Sequence, residues 1–158
     1  MSSDGTRHPD RTTETAIFDR LVTDRLAEHA LRYTMRRRQL VTVLRRVDRP
    51  VTLVELMNLA SGMPQSSAYR NLALLEEAGV VRRLVHSGVD AHFELAEELI
   101  GHHHHLVCGS CGTVEDFTLP VELERALSRA FDSIAENGRF EALHHAVDVY
   151  GRCSVCPV

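Results

Sequence analysis

Ten consecutive residues, His102 to Cys111, carry six groups able to bind a metal: four adjacent histidines and a Cys-x-x-Cys pair. A second pair, Cys153-Ser-Val-Cys156, follows after 41 intervening residues, and the 158-residue chain has no other cysteine. Two such knuckles supply four thiolates at tetrahedral geometry, the donor set of a closed structural zinc site. Cys108, Cys111, Cys153 and Cys156 are therefore expected to hold one structural Zn²⁺. A thiol redox pair or unliganded buried cysteines are the alternatives, and the strict pairing speaks against the second. A site closing over so long a loop pins the C-terminal segment to the middle of its domain, and its expected role is folding stability. Gly109 and Gly112 suit the tight turns that aim both sulfurs inward.

The histidine run asks for a different account. An affinity tag is usually longer and terminal, whereas this run is internal and leads into the knuckle. Leu106 and Val107 after it suggest that His102–Val107 begins a strand. Alternation then puts His103 and His105 on one face, and His102 and His104 on the other, so each face could serve its own metal. Imidazole with carboxylate suits zinc, ferrous iron, manganese and nickel. Glu94, Glu97, Glu98, Glu115, Asp116, Glu122 and Glu124 are near in sequence, and His144 and His145 come later. The competing reading is an exposed, weakly binding patch. For His8, His29, His86 and His144 individually, an ordinary structural role is expected.

Charge divides the chain. Residues 1–86 hold fourteen arginines against ten acids, residues 87–158 four against twelve, and lysine is absent. Guanidinium groups suit phosphate and guanine edges, although a GC-rich genome would also deplete lysine. The asymmetry suggests a nucleic-acid half, residues 1–86, and an acidic, metal-rich half, residues 87–158.

In the first half, residues 1–13 read as a polar arm. Ile17, Leu21, Val22, Leu26 and Ala30 predict an amphipathic helix over 17–31. Thr34 is a candidate cap for a second helix with Met35, Leu40, Val43, Leu44 and Val47 as its apolar set. Arg36, Arg37 and Arg38 in its first turns oppose the helix dipole and need packing or a partner. Thr52 and Glu55 form a capping box for a third helix, with Leu53, Leu56, Met57 and Ala60 inward. Pro64 starts a fourth, over 64–78, that buries Ala68, Leu72 and Leu75. Strands over 80–85 and 91–95, with Gly88 between them as a turn, complete a winged helix-turn-helix. In such a unit the 64–78 helix enters the major groove. Ser66, Ser67, Tyr69 and Arg70 near its start are the candidate DNA contacts. Short helix pairs also occur in domains that never touch DNA.

The second half reads as a small α/β unit. A helix spans 122–131, a strand pair covers 140–143 and 146–150, and the free sheet edges suit dimerisation. The fold class expected is thus α/β, a winged helix followed by a dimerisation domain. No apolar run approaches membrane-spanning length, and MSSDGTRHPD lacks a signal-peptide core, so a cytoplasmic protein without membrane contact is expected. There is no H-E-x-x-H, nucleophile elbow or phosphate-cradling glycine loop. About 70 residues leave little room for a small-molecule substrate pocket, so the chain is not expected to be an enzyme. A metal-buffering protein is an alternative, but it would not need residues 34–85.

The stretch SSAYRNLALLEEAGVVRRL, then HFEL, HHHHLVCGSCGTVEDF and HHAVDVYGRCSVC, resemble in order the segments of the ferric uptake regulator family. The likeness runs from about Tyr33 to Cys156. It implies a homodimeric, metal-responsive repressor that binds a palindromic operator on double-stranded DNA, governing metal uptake or, alternatively, the peroxide-stress response. It implies the four-cysteine zinc and a regulatory divalent metal, zinc or ferrous iron first, manganese or nickel next. By resemblance, Glu94, His103, His105 and Asp116 form the regulatory hinge site. His102, His104 and His145 form a further site with a helix carboxylate, carried over as Glu122 with Glu124 in reserve. The chain also departs from the family. Arg49 and Pro50 stand where many members place another ligand. Arg82 and Ala96 stand near the aspartate and cysteine of zinc-sensing relatives. His86 or His92 could complete the hinge site.

Overall fold

The computed structural model describes residues 11–86 and 90–157. Most of the expected arm, with His8, and the turn expected at Gly88 lie outside the described residues. Helix α1 (Arg11–Glu28) takes in the end of that arm and buries Phe18, Val22 and Leu26 at four-residue spacing. Ile17 and Leu21, expected on the inward face, are exposed. The stripe is rotated by one residue because the Phe18 ring takes the inward position. Arg25 donates to the carbonyl of Gly79 at 2.6 Å, tying α1 to the turn that ends the fourth helix. Gly79 has φ +64, which explains a glycine there.

Helix α2 (Met35–Val47) buries Leu40, Val41, Val43 and Leu44. Two details differ from expectation: Met35 is exposed, and the Thr34 side chain makes no cap bond. The arginines of its first turns find partners. Arg36 donates to Ser67 Oγ at 2.9 Å, Arg37 donates to the Arg32 carbonyl, and Arg38 pairs with Asp19 and lies over the Tyr33 ring. Strand β1 (Val51–Thr52) runs directly into α3 (Leu53–Leu59), where Thr52 Oγ1 accepts from the Glu55 N–H at 3.2 Å. The Glu55 carboxylate pairs with Arg49, so only half of the capping box forms.

Helix α4 (Gln65–Glu77) starts after Pro64 and buries Ala68, Leu72 and Leu75. Strands β2 (Val81–Leu84) and β3 (His92–Leu95) pair antiparallel, with Arg82 opposite Glu94. The unforeseen β1 joins on the other side of β3, in the order β1-β3-β2. One apolar cluster, from Phe18 to Leu95, fills this winged helix. Its sheet is completed by β3, past the division expected at residues 86 and 87.

A single helical turn, α5 (Glu97–Ile100), leads to the second sheet. Strands β4 (His104–Cys108), β5 (Val114–Phe117) and β6 (Asp148–Gly151) lie in the order β5-β4-β6, with β4 antiparallel to β5 and parallel to β6. Helix α6 (Val121–Asn137) connects β5 to β6 and runs longer than its apolar spacing indicated. The strand expected over 140–143 does not form; Phe140 and Leu143 are exposed. Apolar burial here is thin: Val107, Cys108, Val114 and Ala135. In place of a larger core, His103, His104 and His105 are buried. Leu106 and Val149 are neighbours across β4 and β6, and both are exposed. No helix among the described residues is long and apolar enough to cross a membrane.

Candidate metal centres and nucleic-acid interface

The two cysteine knuckles meet because β6 runs beside β4, bringing Cys153 and Cys156 to Cys108 and Cys111. The Sγ atoms of Cys108 and Cys156 are 3.8 Å apart, those of Cys111 and Cys153 3.6 Å, and those of Cys153 and Cys156 3.6 Å. A disulfide would need about 2.05 Å. Zinc–sulfur bonds of about 2.3 Å put tetrahedral corners about 3.8 Å apart, so the thiols fit zinc. Gly112, at φ +76, makes the turn of the first knuckle. The N–H groups of Cys153, Cys111 and Ser110 hold the Cys108 thiol well below its usual range, favouring the thiolate. The neighbouring sulfurs, Cys111 first, push Cys156 up to about 12. Four thiols this close cannot all ionise without a cation.

The second cluster joins the two sheets. Glu94 on β3, only 2% exposed, places Oε2 3.2 Å from His103 Nε2 and 3.3 Å from His105 Nε2. Asp116, opposite His105 across β4 and β5, puts its oxygens 4.0 and 3.9 Å from the same nitrogens. Burial works to raise Glu94, but hydrogen bonds from His103 and His105 and the charge of Arg82 prevail and hold it at about 2. The bond to Glu94 raises His103 to about 9 against the opposing effect of burial. Burial raises Asp116, whose buried Oδ1 has no hydrogen-bond partner. Two imidazoles and two carboxylates around one point fit a divalent metal.

The third cluster lies on the opposite face of the same histidine run. Glu124 Oε2 is 3.0 Å from His104 Nε2, and its Oε1 is 3.2 Å from His102 Nε2 and 2.7 Å from His145 Nε2. Glu124 Oε1 and His145 Nε2 are buried and, though close, are not aligned for a hydrogen bond with each other, so both are left facing a common point. The helix carboxylate in this cluster is Glu124, and Glu122, carried over first, is exposed away from it. Positions two apart on a helix point to nearly opposite sides, so only one of them can face β4.

Sequence reasoning missed the group between the last two clusters. Arg82 Nε bonds Glu94 Oε1 at 2.7 Å, and its Nη1 bonds Glu97 Oε1 at 2.6 Å. Glu97 Oε2 is 2.9 Å from His102 Nδ1. A charged chain thus runs from the hinge cluster through Arg82 and Glu97 to the third cluster. Only the departure of Arg82 from the family pattern signalled it. Asp48 lines the same small cavity as Glu94 and Asp116. Of the two histidines named as further hinge ligands, His92 bonds the Asp90 carbonyl instead, and His86 reaches only the far side of His105.

On α4, Ser66, Tyr69 and Arg70 are exposed and Ser67 is half-buried. Arg36 joins this surface through Ser67. One end of a helix thus offers hydroxyls and guanidinium groups to a polar, anionic partner.

Comparison with known proteins agrees with this geometry. The ferric uptake regulator family matches residues 28–150. The ferric uptake regulation protein of Campylobacter upsaliensis is 32% identical over 137 residues, covering 83% of each chain. The ferric uptake regulator of Vibrio cholerae superposes with a TM-score of 0.63 at 28% identity, covering 81% of this chain and 96% of that one. The Helicobacter pylori regulator, described as having three functional metal binding sites, superposes with a TM-score of 0.69 at 23% identity, covering 90% and 93%. Since the family match spans most of the chain, this protein belongs to the ferric uptake regulator family and is a metal-binding transcriptional regulator, not an enzyme.

Proposed function

We propose that the protein is a cytoplasmic repressor of metal-homeostasis genes. Its dimer grips a palindromic operator when a regulatory divalent metal, zinc or ferrous iron, fills the cluster of Glu94, His103, His105 and Asp116. Structural zinc fills the four-cysteine site, and Glu124, His102, His104 and His145 take a further metal. Exposed Leu106 and Val149 form part of the face shared between two copies. Residues up to the wing bind DNA through Ser66, Ser67, Tyr69 and Arg70, and the residues beyond it bind metal and dimerise.

One observation carries this reading: the hinge ligands come from both sheets. Glu94 belongs to the winged helix, and the other three to the metal-binding half. An ion bound there favours one placement of the two units, and a dimer reads both half-sites only at the right separation. Raising that placement from 1% to 99% needs about 5.5 kcal/mol of differential affinity.

The test is operator binding by the wild type and His103→Ala across titrations of zinc, ferrous iron, manganese and nickel. The variant should stay folded and dimeric, keep its structural zinc, and lose most of the metal-dependent gain in affinity. Equal wild-type affinity with and without every metal would leave a constitutive DNA-binding protein.

A further inference from the structure

His105 has two ring nitrogens, and the hinge cluster uses one. Its Nε2 faces Glu94 and Asp116, while its Nδ1 lies 3.2 Å from Asp148 Oδ1. Asp148 opens β6 in register with His105 on β4. The other Asp148 oxygen lies 3.4 Å from His86 Nδ1, which is also 3.1 Å from the Tyr150 hydroxyl. His86 is 7% exposed and follows the last residue of β2 by two positions. One carboxylate therefore touches a hinge ligand on one side and the end of the wing on the other.

His86, His105 and Asp148 are close enough together to hold a cation themselves. Their hydrogen bonding speaks against it. In the hinge and third clusters, besides the atoms bonded to Glu94 and to Glu124 Oε2, some atoms facing the shared centre lack hydrogen-bond partners: Asp116 Oδ1 in the first, Glu124 Oε1 and His145 Nε2 in the second. In the Asp148 group each facing nitrogen has a hydrogen-bond partner, His105 Nδ1 in Asp148 and His86 Nδ1 in the Tyr150 hydroxyl, and the unpartnered atom, His86 Nε2, is on the opposite side of its ring. A metal at His105 Nδ1 would also require the proton to move to Nε2, and so would remove that histidine from the hinge cluster.

A histidine that ligates through one nitrogen almost always donates its other N–H to a carboxylate, carbonyl or water. That bond fixes the tautomer and ring orientation and raises ligand basicity. We propose that Asp148 is the positioning residue of the hinge metal site: it accepts the Nδ1–H of His105, leaving Nε2 free for the ion, while its second oxygen holds His86 at the end of the wing. This rests on the hinge-metal reading above. It makes the C-terminal strand, which also carries the second zinc knuckle, part of the link between metal and DNA-binding unit.

The test uses the full-length dimer with its structural zinc in place and cobalt as the probe. Asp148→Ala and the milder Asp148→Asn should keep the structural zinc and the dimer. Cobalt affinity at the hinge should fall 10- to 100-fold, with an altered visible spectrum of the bound ion. Nitrogen-15 NMR of the metal-free wild type, at a pH high enough to leave a single proton on His105, should show that proton on Nδ1 towards Asp148 rather than on Nε2 towards Glu94, and Asp148→Ala should admit the other tautomer. His86→Ala should keep cobalt affinity but reduce the cobalt-induced gain in operator binding. Wild-type affinity and tautomer in both Asp148 variants would overturn the proposal. So would a separate cobalt ion lost in His86→Ala, which would make the triad a metal seat. A wild type that binds cobalt no better than His103→Ala would instead sink the hinge reading, while the tautomer would still decide the role of Asp148.

Discussion

Losing the structural zinc should unfold the second half of the chain long before the first. The cluster from Phe18 to Leu95 sustains the winged helix, whereas among the described residues the second half buries only two sizeable apolar side chains, Val107 and Val114. Burying two such side chains contributes roughly 3–6 kcal/mol, against an ordering cost of about 1–2 kcal/mol per residue. Zinc held by the four cysteines would tie together a loop of about 40 residues, and the chain-entropy relation values such a closure at about 4 kcal/mol. The cross-link is thus as large as the apolar contribution, before any metal–sulfur bond is counted. In Cys153→Ser the amides joining β4 to its neighbours should lose their protection: His105 N–H to Val147, Cys108 N–H to Thr113 and Gly109 N–H to Gly151. At 1.4 kcal/mol per tenfold, about 4 kcal/mol corresponds to nearly a thousandfold faster exchange. Amides of α2 and α4 should stay protected. Hydrogen exchange read by mass spectrometry, with zinc content measured on the same samples, checks this. A zinc-free variant with β4 protection within tenfold of wild type would refute the reasoning.

Glu124→Gln should weaken metal binding at the third cluster by at least about tenfold, and Glu122→Gln should leave it unchanged; competition with a chromophoric chelator separates the two. Because Glu94 holds His103 up to about 9, loading the hinge near neutral pH must expel a proton, so affinity rises with pH and levels off near 9. Calorimetry should then show heats that depend on the buffer, and buffer-independent heats would contradict the assignment. The same raised value stabilises the metal-free fold fully below about pH 6.5, and that contribution is lost as pH rises through about 9. Arg70→Ala should reduce the salt slope of operator binding by about one unit; an unchanged slope would remove Arg70 from the phosphate contacts.

What could be read in advance was what repeats or pairs. The knuckles were legible because metal geometry restricts cysteine spacing. The two-faced histidine run was legible because strand alternation leaves little choice. Helices α3 and α4 followed from Thr52, Pro64 and their apolar spacing. Features set by tertiary partners escaped. Nothing local distinguishes Glu122 from Glu124 until α6 is docked on β4. Strand β1 is two residues long and exists because β3 lies beside it. Arg82, Glu97 and Asp148 are ordinary surface-type residues whose roles arise from what the two sheets bring to them. The expected strand over 140–143 failed for the opposite reason, since its apolar residues have nothing to pack against within one chain.

Four histidines in a row, the last two opening β4, also bear on how such a protein tolerates mutation. A register slip of one residue sends every side chain of a strand to the other face. In most strands that exchanges inside for outside and ruins the fold. Here a slip in one direction would put His102 and His104 where His103 and His105 now stand, with Gly101 entering the opposite face. A slip in the other direction would put His103 and His105 where His102 and His104 now stand, with Leu106 entering the opposite face. Either way one face keeps its full pair of imidazoles and the other loses one. A short insertion or deletion near the run would therefore change which metal centre is complete before it abolished both, giving lineages of such proteins a path by which one centre is traded for the other.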